Sequence, residues 1–276
     1  MQLVNNGCAL DTISDAVDEV NVLKGKQPSK EWDNASKFDA NKDKATFRRY
    51  EEACDRVKNF YREQHEKQTV DFNIRVRAEF KKTVHARMGI WEAMEKLNTL
   101  VDDSDPDTDL SQIEHLLQTA EAIRRDGKPE WMQVAGLVHD LGKLLYFFGS
   151  EGQWDVVGDT FVVGCKFSDR IIYPETFAAN PDSKDAVYST EYGNVMLSWG
   201  HDEYLYHVLK KQSSLPADAL YMIRYHSFYP WHREARSAGF NPYDLYSKSD
   251  EPVKVEEVRP YYQRLIAKFF PEVIEW

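Results

Sequence analysis

Apolar positions recur every three to four residues in several separate stretches of the chain, the spacing of one helix face. Phe47, Tyr50, Cys54, Val57 and Tyr61 carry it within residues 45–67, where helix formers dominate. Residues 88–100 predict a second helix, which the acidic "VDDSDPDTDL" ends with Pro106. Ser111 and Glu114 then form the S-x-x-E capping pattern ahead of Ile113, Leu116, Leu117, Ala120 and Ile123. Gly127 and Pro129 stop that helix and start the next. Further helices follow in "VMLSWGHDEYLYHVLKK", "LPADALYMIRYHSFY" and "RPYYQRLIAKFF", the last two opened by Pro216 and Pro260. Residues 149–180 are Gly- and aromatic-rich and predict irregular structure with one short hairpin. Residues 1–43 are polar and weakly periodic. The expected organisation is an N-terminal arm with little regular structure over 1–43 and one all-α domain over 44–276.

One stretch breaks the amphipathic rule. In "VAGLVHDLGKLLYFF", residues 134–148, a continuous helix would gather Val134, Leu137, Val138, Leu141, Leu144, Leu145 and Phe148 on one stripe. His139, Asp140 and Lys143 fall opposite, beside Gly136, Tyr146 and Phe147, which do not make a water-facing surface. The polar strip therefore points into the interior, where an unpartnered charge is costly and a bound cation removes the cost. The competing explanation is a surface His beside an Asp–Lys pair at i, i+3.

Composition narrows the functional classes. The chain has 276 residues, 42% hydrophobic and 29% charged, and a net charge of −11. That acidity argues against nucleic-acid or anionic-membrane surfaces and against a substrate with several phosphates. No apolar run reaches the roughly 18 residues of a membrane span, and the acidic N-terminus lacks the pattern of a signal peptide. Cys8, Cys54 and Cys165 are far apart and odd in number, which predicts reduced thiols and a cytoplasmic setting. The acidic run from Asp103 has a superficial calcium-loop spacing, but Thr108 stands where the turn requires Gly and Pro106 intrudes, so a solvated loop is expected, with a single Asp pointing inward.

The other histidines extend the polar strip. His115 lies opposite the stripe of its helix; His201 opens a second His-Asp doublet, "WGHDEYLYHVL"; His226 lies in "YMIRYHSFY"; Asp244 follows in "NPYDLYSK". The order is H…HD…H…H…D. Four imidazoles and two carboxylates serve two metals only if one carboxylate is shared, and with Asp140 shared each ion has two His and a carboxylate, a set suited to non-haem iron. Asp202 and His207 are expected outside the set, Asp202 pointing about 100° away from His201.

His115, His139-Asp140 and Asp244 give the pattern of the HD-domain superfamily, an all-α helical bundle. The words "SDPDTDL", "QTAEAIR", "GLVHDLGK", "VVGDTFVVGC", "LSWGHDEYLY", "MIRYHSFYPWH" and "DLYSK" closely resemble the inositol oxygenase family, in the same order, from about Phe47 to the C-terminus. The resemblance implies cleavage of the myo-inositol ring with O2 to give D-glucuronate, at two Fe ions per chain in a mixed-valent Fe(II)/Fe(III) state. It places the ligands on His115, His139, Asp140, His201, His226 and Asp244, and substrate contacts on Arg48, Asp102, Lys143, Gly158, Asp159, Ser227 and Lys248. Lys143, one turn from His139, would hydrogen-bond the substrate alkoxide, so Lys143 and Asp140 are the expected catalytic pair. An uncharged polyol asks for hydrogen-bond partners and no phosphate clamp. A monomer is expected. Two connections, near Gly193 and Ala235, are shorter than the family's. The alternatives are an HD-domain metal-dependent phosphohydrolase acting on a nucleotide, which would need basic residues around its metals, and a non-enzymatic metal-binding protein.

Overall fold

Helices carry nearly all the regular structure. A computed structural model of the chain describes Tyr50 and residues 53–80, 82–105, 110–184, 196–235, 239–247 and 252–276, all within one compact unit, Ala35–Trp276. The expected arm, Arg48, Lys248 and both shortened connections lie outside the described residues.

The helices are α1 (Asp55–Lys67), α2 (Val70–Phe80), α3 (Ile90–Leu97), α4 (Gln112–Arg125), α5 (Glu130–Val138), α6 (His201–Gln212), α7 (Ala217–Tyr225), α8 (Tyr229–Ala235), α9 (Asn241–Tyr246) and α10 (Val255–Phe269). They form an all-α bundle. Helix α4 packs on α5, α3 and α9; α5 packs on α7 and α10; α6 packs on α7. Leu116, Leu117, Ala120, Val134, Leu137, Leu205 and Ile223 meet in the core, none more than marginally exposed. The pattern of α4 is realised from its first residue: Ser111 Oγ accepts the Glu114 N–H at 3.4 Å.

Two features escaped periodicity. The short antiparallel pairing expected within 149–180 has only one strand there, β2 (Val162–Val163), whose partner is β3 (Met196–Leu197), and a second pair joins β1 (Arg87–Met88) to β4 (Ile274–Glu275). Both pairs are two residues long and distant in sequence, too little for a period-2 signal. Helix α10 starts at Val255 rather than at Pro260, which lies inside it. Pro260 removes one amide donor, but its face there is exposed, which leaves the freed carbonyl open to solvent.

The expected single helix over 134–148 is also corrected. Helix α5 ends at Val138, a turn holds His139 and Asp140, and a 3-10 helix runs Leu141–Phe148. The tighter winding has three residues per turn, which stacks Lys143 directly over Asp140. Gly142 allows the turn to nest against α6: a Cβ there would run into the His201 carbonyl.

Candidate metal centre and its pocket

Four helix ends deliver the histidines. His115 sits in the first turn of α4, His139 follows the C-terminus of α5, His201 opens α6, and His226 follows the C-terminus of α7. Asp140 follows His139 in the turn, and Asp244 comes from α9. Helix ends carry backbone groups unused by the helix, and these orient the rings. His139 Nδ1 lies 2.8 Å from the Gly136 carbonyl, His201 Nδ1 2.8 Å from Val156 O, and His226 Nδ1 2.7 Å from Ile223 O. A carbonyl accepts only, so each Nδ1 carries the proton and each Nε2 turns an unprotonated lone pair inward.

The inward lone pairs meet Asp140, whose oxygens divide the rings into two pairs. Oδ1 is 3.4 Å from Nε2 of both His201 and His226; Oδ2 is 3.6 Å from Nε2 of both His115 and His139. Asp244 Oδ1 serves the second pair, 3.1 Å from His115 and 3.3 Å from His139. The Tyr229 hydroxyl donates to Asp244 Oδ2 at 3.0 Å, and Asn241 Nδ2 donates to the His226 carbonyl at 2.6 Å. All six side chains gathered here are shielded, His139 completely.

Metal is the group these residues fit. His139 Nε2 is buried and makes no hydrogen bond among the described residues, although two carboxylate oxygens face it. His201 Nε2 and His226 Nε2 stand 3.0 Å apart with both Nδ1 protons committed elsewhere. Lone pairs aimed at one another and at carboxylates repel unless a cation lies among them. Two overlapping sets have ligand atoms close enough for one ion: His115, His139 and Asp244; and His139, Asp140 and His226.

Electrostatics agree with that arrangement. Burial opposes the Asp140 charge, but the Lys143 ammonium and the His rings outweigh it and hold the carboxyl well below the usual range. Burial likewise opposes the Asp244 charge, and His115 and His139 hold that carboxyl low. Burial pushes His115 down. It also takes His201 down to about 4, with the facing His226 adding to the effect. Burial opposes the His226 charge, but Asp140, with Asp244 and Asp202, together outweigh it and move that group up. Between them the two facing Nε2 atoms are therefore disposed to take up no more than one further proton.

A pocket opens on this cluster, lined also by Asp102, Gln112, Lys143, Gly158, Ser227 and Tyr229. Lys143 Nζ donates to Asp102 Oδ2 at 2.8 Å, to Asp140 Oδ2 at 2.9 Å and to Gln112 Oε1 at 3.5 Å. Burial disfavours its charge, but the two carboxylates raise its pKa. Asp102 points inward from the acidic loop. Its Oδ1 accepts the Ser104 N–H and hydroxyl, while Asp103 pairs with Arg56 at 2.9 Å. Asp159 is buried and accepts the Tyr50 and Tyr61 hydroxyls at 3.1 and 3.0 Å. Gly158 has φ +89°, and a Cβ there would sit 2.6 Å from the Phe60 ring. Asp202 and His207 stay out of the cluster: Asp202 accepts from Thr160 and Ser227, and His207 pairs with Glu203 at 3.2 Å. Gln112, Thr160, Tyr229 and Asn241 were not singled out by the sequence. Each carries an ordinary polar side chain with no spacing to mark it.

Comparison with known proteins bears on this geometry. The family described as Myo-inositol oxygenase matches residues 54–276. The chain is 44% identical to inositol oxygenase of Dictyostelium discoideum, over 88% of this chain and 95% of that protein. It is 47% identical to inositol oxygenase 1 of Arabidopsis thaliana, over 84% of each. It is 44% identical to inositol oxygenase of Rattus norvegicus, over 85% of this chain and 92% of that one. With that match spanning every histidine and carboxylate of the cluster, the chain belongs to the myo-inositol oxygenase family.

Proposed function

We propose that the protein cleaves myo-inositol with O2 to D-glucuronate and water at a pair of iron ions. One observation carries this: the inward Nε2 atoms of His115, His139, His201 and His226 are divided between the two oxygens of Asp140. His115, His139 and Asp244 would hold one ion, His201 and His226 the other, and Asp140 both. Bound there, the irons would supply the redox chemistry and lower the pKa of a substrate hydroxyl.

The chain's own residues bind, orient and handle protons. Lys143 is pinned between Asp102 and Asp140, and its weakest contact, to Gln112, is the one an entering hydroxyl displaces. Its ammonium then donates to that oxygen and favours its deprotonated form. Asp102 accepts from a neighbouring hydroxyl. Ser227 and Gly158 are further contacts on the pocket wall, the missing side chain at Gly158 leaving room for Phe60 behind it; Asp159, which accepts the Tyr50 and Tyr61 hydroxyls, enters through the family resemblance. Arg48 and Lys248 belong to this proposal through the family resemblance. Four carboxylates around the pocket, Asp102, Asp105, Asp140 and Asp244, favour a neutral polyol over a phosphate ester. Cys54 and Cys165 are free thiols, and among the described residues no helix is long and apolar enough to cross a membrane; both fit a cytoplasmic enzyme, which we take to be monomeric.

The test is oxygen consumption by the iron-loaded protein. Myo-inositol should drive O2 uptake with one glucuronate formed per O2. Phosphate release from nucleotides without inositol-dependent O2 uptake would overturn the assignment.

A further inference from the structure

Behind the pocket wall lies a polar cluster that the metal centre does not use. Asp202 is fully buried, and Thr160 and Ser227 are nearly so. Asp202 Oδ2 accepts the Thr160 and the Ser227 hydroxyls, both at 2.7 Å, and those two hydroxyls also lie in short contact with each other. Asp202 Oδ1 accepts the Glu203 N–H at 2.7 Å. The Thr160 N–H donates to the Ser227 carbonyl at 2.9 Å, which fixes the two backbones. Ser227 itself lines the pocket.

We propose that Asp202 is a positioning residue: it accepts the hydrogen bond of the Ser227 hydroxyl, so Ser227 meets the ligand as a hydrogen-bond acceptor and selects a hydroxyl at one ring position. The proton count makes the case. Two hydroxyl protons serve three close contacts among Asp202 Oδ2, Thr160 and Ser227. With both kept inside, one contact lacks a proton. With Ser227 turned to the pocket, two contacts lack one, in a site where water cannot substitute. Bonds to a carboxylate are also the stronger ones. What remains for the pocket is a Ser227 lone pair. A group there that cannot donate, such as fluorine or hydrogen, leaves that lone pair unmatched.

This inference rests on inositol being the ligand, and the test separates the two. Binding of myo-inositol and its monodeoxy and monodeoxyfluoro analogues is measured by calorimetry on the iron-loaded full chain without oxygen, so that no turnover contributes. Metal content is checked in each variant. In the wild type, the position facing Ser227 should favour hydroxyl about tenfold over both hydrogen and fluorine, the size of one hydrogen bond. Ser227→Ala should erase that preference at this one position and leave those at others. In Asp202→Asn the Glu203 N–H holds the amide oxygen, so the NH2 turns toward the hydroxyls and frees a proton. Ser227 then donates, and fluorine should overtake hydrogen at the same position. Thr160→Val should keep the wild-type order, since Ser227 still donates to Asp202.

If the wild type already prefers fluorine to hydrogen at the position that Ser227→Ala affects, Ser227 is a donor and the inference fails alone. An unchanged analogue pattern in Ser227→Ala overturns it as well. If Asp202→Asn folds poorly, the Ser227→Ala comparison decides by itself. Wild type that binds no inositol overturns the parent proposal and this one together.

Discussion

Nε2 of His201 lies 3.0 Å from Nε2 of His226, although each ring already gives its Nδ1 proton to a backbone carbonyl. Two such nitrogens approach this closely only when something positive lies with them. The same condition holds at His139, whose Nε2 faces two carboxylates without a hydrogen bond. A cluster of this kind is high in free energy without a cation and low with one.

Metal removal should therefore lower the melting temperature. Ligand present at a hundred times its Kd contributes about 2.7 kcal/mol per site, and in a chain of this size that corresponds to roughly 5–10 °C. Differential scanning calorimetry before and after chelation checks this. An unchanged melting temperature would mean that the six side chains do not share a metal site.

Asp140→Asn should fail to retain two ions. An amide offers one good ligand oxygen where the carboxylate offers two, and its NH2 would face a pair of rings. Lys143 would also lose one of its two carboxylate partners, but it keeps Asp102, so the cost stays below the roughly 3–5 kcal/mol of a fully unpaired buried charge. Metal analysis should show at most one ion per chain, and two ions in this variant would count against sharing through Asp140.

Gly142→Ala tests how the turn and α6 are held together. The added methyl meets the His201 backbone rather than the tip of a flexible side chain, so the helix must shift. Overpacking of this kind costs about 1–3 kcal/mol, and here it moves a ligand as well. Reduced metal content alongside a lower melting temperature is the expected pair of results. A stable variant with normal metal content would show that α6 gives way freely.

His65 should make the fold acid-sensitive from well away from the metal cluster. It is fully buried, stacks on Phe177 at 4.0 Å, and bonds the Thr176 hydroxyl through Nδ1 at 2.6 Å. Burial takes its pKa down from 6.5 to about 3. The unfolded chain therefore binds a proton that the folded one refuses. Its contribution to stability is intact above pH 6.5 and is lost as pH falls toward 3, by about 1.4 kcal/mol per pH unit. Urea unfolding across that range should show a shallower decline in His65→Phe than in the wild type. Parallel curves would place the sensitivity elsewhere.

The all-α class, the capped start of α4 and the break at Gly127 and Pro129 were legible in the sequence. Local backbone chemistry decides them: side-chain periodicity, a serine that accepts an N–H, and a proline that cannot donate one. The start of α10 was misjudged because Pro260 resembles a first-turn proline, and only its exposed face shows why it is tolerated farther in. The polar strip of His139, Asp140 and Lys143 was visible as a violation of amphipathic patterning. Its shape was not, since a continuous helix and a helix broken into a 3-10 turn share the same apolar positions.

The sequence by itself determined which side chains are able to bind metal, and through its ordered motifs, the family. Tertiary structure alone decided that Asp140 turns one oxygen to each pair of rings, and that Asp202 bonds Ser227 from behind the pocket wall. The reason is range. Capping and periodicity act over a few residues, whereas those contacts, apart from that of Asp140 with its neighbour His139, join residues 25 or more positions apart and exist only after the helices have packed.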